Sequence, residues 1–248
     1  ADPQCAQSLA AFAVYLNSVL AEPDEADALF VRAIQIAPNN GDIIGGYASF
    51  VAEVLHDNDS AEVYYKRAID ADPENAVNLG KFAYFLHAVR GDLHLADLHY
   101  QRAVQCGNNA EILGNYANFL ETERDNYELA EHYYKQAVAV DPTHAYNLAS
   151  YARLLAYTQH DNGAADDCFR RAIAADPAEA AVTDFYVDFL QSIRETDQNA
   201  HRYFRDALAQ FPQCAPLLQA YGEYLDEVLG DAAEAKKYYK LASEIVTL

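Results

Sequence analysis

A proline recurs along the chain at an almost constant interval, and this spacing restricts the possible folds more than any other feature of the sequence. Successive positions lie 34 or 35 residues apart, and Asn108 fills the one place where proline is absent. The prolines are Pro3, Pro38, Pro73, Pro142, Pro177 and Pro212. An interval of roughly 20–50 residues is typical of repeat proteins, in which each unit buries its apolar face against its neighbours. The interval therefore predicts a stack of similar units.

Each interval carries two apolar patterns, which predict two helices per unit. The first pattern has apolar or small residues at spacings of three, one and three, as in Leu9, Phe12, Ala13 and Leu16. This spacing places them on one helix face. The second pattern has an aromatic ring four residues after a small residue and three before an alanine. Its rings are Phe30, Tyr65, Tyr100, Tyr134, Phe169, Phe204 and Tyr239. The small residues let two helices approach closely, and the ring fills the space between them.

The borders of the second helices carry their own signals. A short carboxylate before a helix caps free N–H groups, and a proline just past the helix ends it. We predict caps at Asp59, Asp92, Asp125, Asp161, Asp197 and Asp231. The pair Gly45-Gly46 falls inside a predicted first helix, where it indicates close packing.

This arrangement of small, aromatic and proline positions resembles the tetratricopeptide repeat family over essentially the whole chain. It departs from the family in lacking Trp, with Leu or Ile at that first-helix position, and in having one extra residue in most repeats. The resemblance implies an all-α fold, a right-handed superhelical solenoid of seven helix-turn-helix repeats whose first helices line the concave surface. The single solenoid would span 1–248. Its repeats would lie at about 4–38, 39–73, 74–108, 109–142, 143–177, 178–212 and 213–248.

The composition restricts the partners. The formal charge is −21, from 38 acidic and 17 basic residues. It argues against nucleic acid or an anionic membrane and favours a basic or neutral protein or a divalent cation. No apolar run reaches the roughly 20 residues of a membrane span. The chain lacks methionine and begins Ala1-Asp2-Pro3, as after removal of a targeting segment. These features favour an extracellular or cell-surface location over a cytoplasmic one.

Motifs for catalysis or cofactor binding are not found in the sequence. No nucleotide-binding loop or HExxH motif occurs, and His94 and His99 are five residues apart, off a common helix face. Asp57-Asn58-Asp59 lacks the glycine and glutamate of an EF-hand. Arg90-Gly91-Asp92 has the residues of an ordinary turn and helix cap. We therefore predict no enzyme activity and no catalytic, cofactor or metal site. Asn58 is the one N-glycosylation sequon, expected in an exposed loop.

The concave face offers candidate ligand contacts. Relatives that grip the carboxylate tail of a chaperone use Lys, Asn and Arg at fixed first-helix positions, and this chain has no such set. Asparagines bind peptide backbone in some relatives. The candidate groove residues are Lys81, Tyr84, Asn115, Asn118, Tyr146 and Arg153. They predict an adaptor for a peptide or basic protein, as the alternative to self-assembly.

The two ends of the repeat array indicate self-assembly. Solenoids are normally closed by a polar capping repeat, whereas the last predicted helix is rich in aromatic and aliphatic residues. A head-to-tail contact between copies would not close on itself and would produce a filament or fibre. The candidate interface residues are Cys5, Leu9, Phe12, Tyr238, Ile245, Val246 and Leu248. Cys5 and Cys214 occupy equivalent repeat positions, although equivalent positions in adjacent repeats are usually too far apart for a disulfide. The four cysteines allow three disulfide pairings or none.

Overall fold

The structure, a computed structural model, describes the backbone of residues 3–246 and the side-chain surroundings of residues 5–245. All regular secondary structure in this range is helical, so the predicted all-α class is confirmed. The chain divides into two compact units, Ala1–Arg124 and Asp125–Leu248.

Unit 1, the part up to Arg124, contains seven α-helices within its described residues. They are α1 (Pro3–Tyr15), α2 (Pro23–Ile36), α3 (Gly41–Glu53), α4 (Asn58–Ala71), α5 (Ala76–Phe85), α6 (Leu93–Cys106) and α7 (Ala110–Arg124). Helices α1 and α2, α3 and α4, and α5 and α6 pack as hairpins. The first helices of successive hairpins also touch, α1 with α3, α3 with α5 and α5 with α7. The apolar face of each hairpin is thus covered by the next one, as the repeat pattern predicts.

Unit 2, from Asp125 onward, contains seven α-helices among the residues described there. They are α8 (Tyr127–Val140), α9 (Ala145–Leu154), α10 (Asn162–Ala175), α11 (Ala180–Ile193), α12 (Ala200–Gln210), α13 (Ala215–Glu223) and α14 (Ala232–Val246). Helices α9 and α10 and helices α13 and α14 form hairpins, and α9 touches α11, which touches α13. Short π-helical turns extend four of the first helices of the two units. They are Leu16–Leu20, Leu86–Arg90, Leu155–Gln159 and Tyr224–Val228.

Most turns between paired helices use a residue in the left-handed region, and the turn between α11 and α12 is the exception among the described residues. At Gly91, with φ of 67°, glycine takes this conformation without a Cβ clash. The following residue, Asp92, caps α6 by accepting a hydrogen bond from the Leu95 N–H. The interpretation of Arg90-Gly91-Asp92 as turn and cap chemistry agrees with this geometry.

Three of the predicted helix caps are wrong. The N-cap of α12 is Asn199 and not Asp197, whose carboxylate accepts from the Asn199 N–H. Asp57, two residues before the predicted Asp59, caps α4 by accepting from the Ser60 N–H at 3.0 Å. Asn126 caps α8 in place of Asp125, which itself takes the left-handed conformation. At each of these places the predicted aspartate lies one or two residues from the residue that the structure has as the cap, because neighbouring Asp and Asn side chains compete for the free N–H groups.

Candidate protein interaction surfaces

A ladder of aromatic rings joins each hairpin to the next inside both units. The ring of a second helix packs on two rings of the following first helix, as Tyr65 of α4 packs on Phe82 and Phe85 of α5, with centroids 5.5 and 5.3 Å apart. Four other ring triads have the same form: Phe30 with Tyr47 and Phe50, Tyr100 with Tyr116 and Phe119, Phe169 with Tyr186 and Phe189, and Phe204 with Tyr221 and Tyr224. Tyr134 meets one ring, Tyr151, at 6.1 Å.

Helix α1 carries the two first-helix rings of such a triad without a second-helix ring packed on them. Phe12 and Tyr15 stack on each other with centroids 6.2 Å apart, in the register of the paired rings on later first helices. They are 51% and 47% exposed, whereas Phe82 and Phe85 on α5 are each 2% exposed. No ring from another helix among the described residues covers them. Leu9, on the same helix, is half-buried, and Cys5 is exposed.

The complementary half of the triad stands on α14. Tyr239 has the repeat position of the second-helix rings, and its inner edge lies so close to Gly222 that a Cβ there would be 2.5 Å from its Cε1. Its side chain is half-buried, and burial raises the pKa of its hydroxyl. No following first helix covers its outer side in the described part of the chain.

The other interface candidates on α14 have different surroundings. Tyr238 packs edge-on against Tyr221 inside its own hairpin, with centroids 4.7 Å apart. Ile245 packs against the core of unit 2 and lines a cavity of about 630 Å³. The side chain of Val246 and all of Leu248 lie outside the described residues. Sequence reasoning left Tyr15 and Tyr239 out of this candidate set, although aligning the repeats shows both at ladder positions.

Hydrogen bonds between tyrosine hydroxyls and acidic side chains connect some of the hairpins beside the ladder. The Tyr186 hydroxyl donates to Asp166 at 2.5 Å, and Arg170 lies 3.0 Å from the same carboxylate. Burial raises the pKa of Asp166, and burial together with this carboxylate raises that of Tyr186. The same hydrogen bond joins Tyr47 to Asp27 at 2.8 Å and Tyr116 to Asp97 at 3.0 Å.

The groove candidates of unit 1 lie on α5 and α7, helices that touch each other. Tyr84 is 50% exposed, and Lys81, Asn115 and Asn118 are half-buried. The spacing of three residues within each pair places Lys81 beside Tyr84 on one face of α5 and Asn115 beside Asn118 on one face of α7. The Asn118 carbonyl accepts from the Thr122 hydroxyl. These four residues, two on each of two touching helices, are called the groove stripe below.

The groove candidates of unit 2 gather around a ring that the sequence analysis did not select. The Arg153 guanidinium lies 5.1 Å from the centroid of the Phe185 ring, and the Tyr146 ring is 6.3 Å from it. Phe185 has the same repeat position as Lys81 and Asn115, so aligning the repeats would have identified it. A guanidinium over an aromatic face is stabilised by a cation–π interaction, and this interaction holds the Arg153 side chain in place.

The remaining candidate sites are the glycosylation sequon and the four cysteines. Asn58 is the first residue of α4 and half-buried, so the prediction of an exposed loop is wrong. Its carbonyl accepts from Arg90, which also pairs with Asp59 and Glu62, and this ties the start of α4 to the turn that follows α5. The four cysteines are free thiols. Within the described residues no group of three or more His, Cys, Asp or Glu side chains is placed to hold a metal ion, and no helix is long and apolar enough to cross a membrane.

Comparison with known proteins finds similarity to tetratricopeptide-repeat proteins. Residues 110–144 match the family described as tetratricopeptide repeat. The chain also resembles the crystal structure of PilW, a type IV pilus biogenesis factor, with TM-score 0.67 and 19% identity over 88% of this chain and 98% of that one. The Thermus thermophilus protein TTC0263, a solved tetratricopeptide-repeat protein, has TM-score 0.60 and 18% identity over 75% and 98%. The chain therefore has one matched tetratricopeptide repeat and the fold of tetratricopeptide-repeat proteins.

Another solved tetratricopeptide-repeat protein, YrrB, has TM-score 0.54 and 17% identity over 77% of this chain and 97% of that one. Its structure is described as having an unusual peptide-binding site. No curated protein matches the sequence. The predicted family is therefore confirmed, while the count of seven tetratricopeptide repeats stays a prediction. Repeat solenoids of this kind present extended surfaces on which other proteins can bind.

Proposed function

We propose that this scaffold binds its own copies head to tail and so builds a filament. The single observation that carries the proposal is the divided aromatic triad. Every internal junction of the two units places a second-helix ring on the following first helix, and α14 and α1 carry the unfilled halves of one more such junction. Tyr239 of one copy would pack on Phe12 and Tyr15 of the next, as Tyr65 packs on Phe82 and Phe85.

The exposed face of α1 extends beyond these two rings. Val19 and Leu20, in the turn that follows α1, are 62% and 48% exposed. Together with Phe12 and Tyr15 they form a contiguous apolar patch, and such patches mark interaction sites on soluble proteins. The patch and the α14 face are different surfaces, so their contact is heterologous and each added copy exposes a new binding end. Open growth of a filament follows from this asymmetry.

We expect the double substitution Phe12→Ala, Tyr15→Ala to raise the concentration needed for assembly about thirtyfold. Each half-exposed ring would bury the rest of its surface at the junction, a gain of about 1 kcal/mol per ring, and 1.4 kcal/mol corresponds to about tenfold in affinity. Light scattering across a concentration series measures the threshold, and electron microscopy of the intact chain shows whether the particles are filaments.

Tyr84→Ala is the matched control, since it removes an equally exposed ring from another first helix of unit 1. Its threshold should equal that of the unchanged chain. If the unchanged chain stays monomeric at high concentration, the proposed filament is wrong. If Tyr84→Ala weakens assembly as much as the double substitution, copies meet through the groove stripe and the end-to-end junction is wrong.

A second candidate function is that of an adaptor for a peptide or basic protein. The arrangement of Tyr146, Arg153 and Phe185 supports it, since it presents two rings and an ordered guanidinium on neighbouring helices of unit 2. YrrB, described as binding peptide, has the same fold. The stripe of Lys81, Tyr84, Asn115 and Asn118 supports it in unit 1.

We expect replacement of Asn115 and Asn118 by alanine to lower binding of a basic peptide about tenfold, because each amide offers a donor and an acceptor to peptide backbone. Pull-down and calorimetry with a Lys-rich peptide measure the loss. The variant Phe12→Ala, Tyr15→Ala should bind the peptide as the unchanged chain does. Binding that is unaffected by the asparagine changes would contradict this groove.

A further inference from the structure

The open cavity of about 630 Å³ in unit 2 lies where the first half of α11, the start of α13 and the end of α14 meet. Its volume is within the range of about 300–1,000 Å³ that is typical of ligand sites. The described residues that line it belong to α10, α11, α13, α14 and the turns before α11 and α13, so it lies within one unit.

The cavity occurs where the repeat pattern changes. Thr183 is 8% exposed and has the place that a larger, more deeply buried aliphatic residue has on earlier first helices. Those residues are Ile44, Leu79, Leu113 and Leu148. Phe211 is the residue that follows α12, and the residues that follow α4, α8 and α10 are Asp72, Asp141 and Asp176. The first change leaves space, and the second puts an apolar ring where other junctions have a carboxylate.

The walls of the cavity are mainly apolar. Ile173 and Ile245 line it together with Phe211. Three other lining residues are prolines, which have no N–H group to donate. They are Pro177, Pro212 and Pro216. An apolar cavity of about 150 Å³ holds a benzene molecule, so this larger one has room for an aromatic ring and the backbone that carries it.

The charge at the cavity is negative. Asp184 on α11 is the one ionised side chain among the described residues that line it, since burial raises the pKa of the Cys214 thiol and keeps this second titratable group neutral. Asp188, one turn further along α11, is exposed like Asp184. Neither carboxylate has an ion pair or a hydrogen bond within residues 5–245. A ligand that carries both an apolar group and a cation complements this combination.

The cavity also adjoins the groove candidates of unit 2. Asp184 precedes Phe185, whose ring lies near Arg153 and Tyr146 of α9. Helix α11 touches both α9 and α13. A peptide that crosses α11 from α9 toward α13 therefore passes the Phe185 ring and then reaches the cavity.

We propose that the cavity holds an aromatic side chain of a bound peptide and that Asp184 pairs with a basic residue two positions away in that peptide. This inference rests on the proposed adaptor function and names the class of peptide that the groove of unit 2 takes. Alternate side chains of an extended peptide point to the same side, so the ring and the cation reach one face of the protein. The net charge of −21 attracts a basic peptide at longer range.

Three matched peptides test the assignment by calorimetry with the full chain. Each is Lys-rich, and a central Phe-Ser-Lys is either kept, changed to Ala-Ser-Lys or changed to Phe-Ser-norleucine. The alanine peptide should bind about tenfold more weakly, because it loses the buried ring. The norleucine peptide should bind about fivefold more weakly, because it loses the cation that meets Asp184.

Two protein variants address the two halves of the site. Thr183→Leu introduces the residue that α5, α7 and α9 have at this position and narrows the cavity. It should weaken the Phe-Ser-Lys peptide about tenfold and leave the alanine peptide within about threefold. Asp184→Asn should remove the discrimination between lysine and norleucine. Asp167→Asn is the control for charge, since it makes the same change on an exposed side chain of α10 and should leave all three affinities within about threefold.

Cys214 reports occupancy of the cavity directly, because its thiol is part of the wall. Saturating Phe-Ser-Lys peptide should slow alkylation of Cys214 by N-ethylmaleimide about fivefold or more, since the bound ring blocks access to the sulfur. Mass spectrometry of the digested protein measures the rate at each cysteine. Cys106 is exposed in unit 1 and should react at an unchanged rate.

The possible failures are distinguishable. If none of the Lys-rich peptides binds the unchanged chain, the adaptor function is wrong and this inference with it. If the three peptides bind equally, or Thr183→Leu binds the Phe-Ser-Lys peptide as well as the unchanged chain does, the adaptor function stands and the role of the cavity is overturned. If Asp184→Asn still prefers lysine to norleucine, the ion pair is overturned.

Two other occupants of the cavity would also contradict the proposal. If Thr183→Leu raises the threshold for assembly and leaves peptide binding unchanged, a second copy of the chain occupies the cavity. If phenethylamine protects Cys214 as well as the peptide does at equal concentration, the cavity takes a small amine and the assignment to a peptide is overturned.

Discussion

Phe169→Ala is expected to lower the free energy of unfolding of unit 2 by about 3–5 kcal/mol, the range for truncating a buried phenylalanine. Phe169 is fully buried, and its ring centroid lies 5.3 Å from that of Tyr186 and 5.4 Å from that of Phe189. The substitution removes the ring that joins α10 to α11. The cavity then faces close-packed helices that cannot collapse into it without moving the hairpins apart.

Urea unfolding followed by circular dichroism measures the change, and Phe12→Ala is the matched control. The control removes the same side chain from a ladder position that lacks cover, so a loss under about 1 kcal/mol is expected. Equal losses at Phe12 and Phe169 would mean that the ladder does not carry the stacking energy. In a repeat protein the free energy of unfolding is nearly a sum of one term for each repeat and one term for each interface between repeats. Weakening the interface at Phe169 should therefore also make the hairpins on its two sides unfold in separate steps.

Gly45→Ala is expected to destabilise unit 1 by about 3 kcal/mol. A Cβ at this position would lie 1.9 Å from Oδ1 of Asn78, whose side chain is 2% exposed and donates to the Gly41 carbonyl at 3.0 Å. The methyl group must expel the amide and leave that carbonyl without its donor. Overpacking costs about 1–3 kcal/mol and the lost buried hydrogen bond about 1–3 kcal/mol. Helix propensity returns about 1 kcal/mol.

The adjacent glycine supplies the control for this prediction. Gly46 is on the same helix, and the nearest atom to a Cβ there is a carbon of Phe30 at 3.8 Å, ordinary van der Waals contact. Gly46→Ala should therefore stabilise unit 1 by about 0.5–1 kcal/mol through helix propensity alone. Chemical unfolding of both variants gives the comparison. A stabilising Gly45→Ala would show that α3 and α5 are less closely packed than the structure has them.

The sequence predicts much of the fold because the spacing of its aromatic and small residues follows directly from how the helices pack. A ring such as Tyr100 is buried by two neighbours on the next hairpin, so every hairpin needs a ring at that position and a small residue four before it. The glycine pair was likewise interpreted as close packing, which is correct for Gly45. Gly46 has room for a methyl group, a difference that depends on the neighbouring helix and is not visible in a local pattern.

The candidate surfaces are less predictable, since they depend on which side chains a neighbour leaves uncovered. The repeat pattern places Tyr239 at a ladder position, but only the structure shows that its neighbour Tyr238 packs edge-on against Tyr221 inside its own hairpin. Phe185 was overlooked because the apolar pattern assigned importance to its neighbour Tyr186. Comparing the residues at one repeat position, from Ile44 to Thr183, would have identified the shorter side chain at the cavity.

The left-handed turn residues bear on how such a chain can change over evolution. Ala21, His56 and His160 hold a backbone conformation that glycine tolerates best, while Gly91 and Gly230 hold it with no side chain at all. A point change at these turns therefore adjusts the rigidity of one hairpin without touching its packed faces. Stiffness along the array can in this way be tuned hairpin by hairpin, independently of what the surfaces recognise.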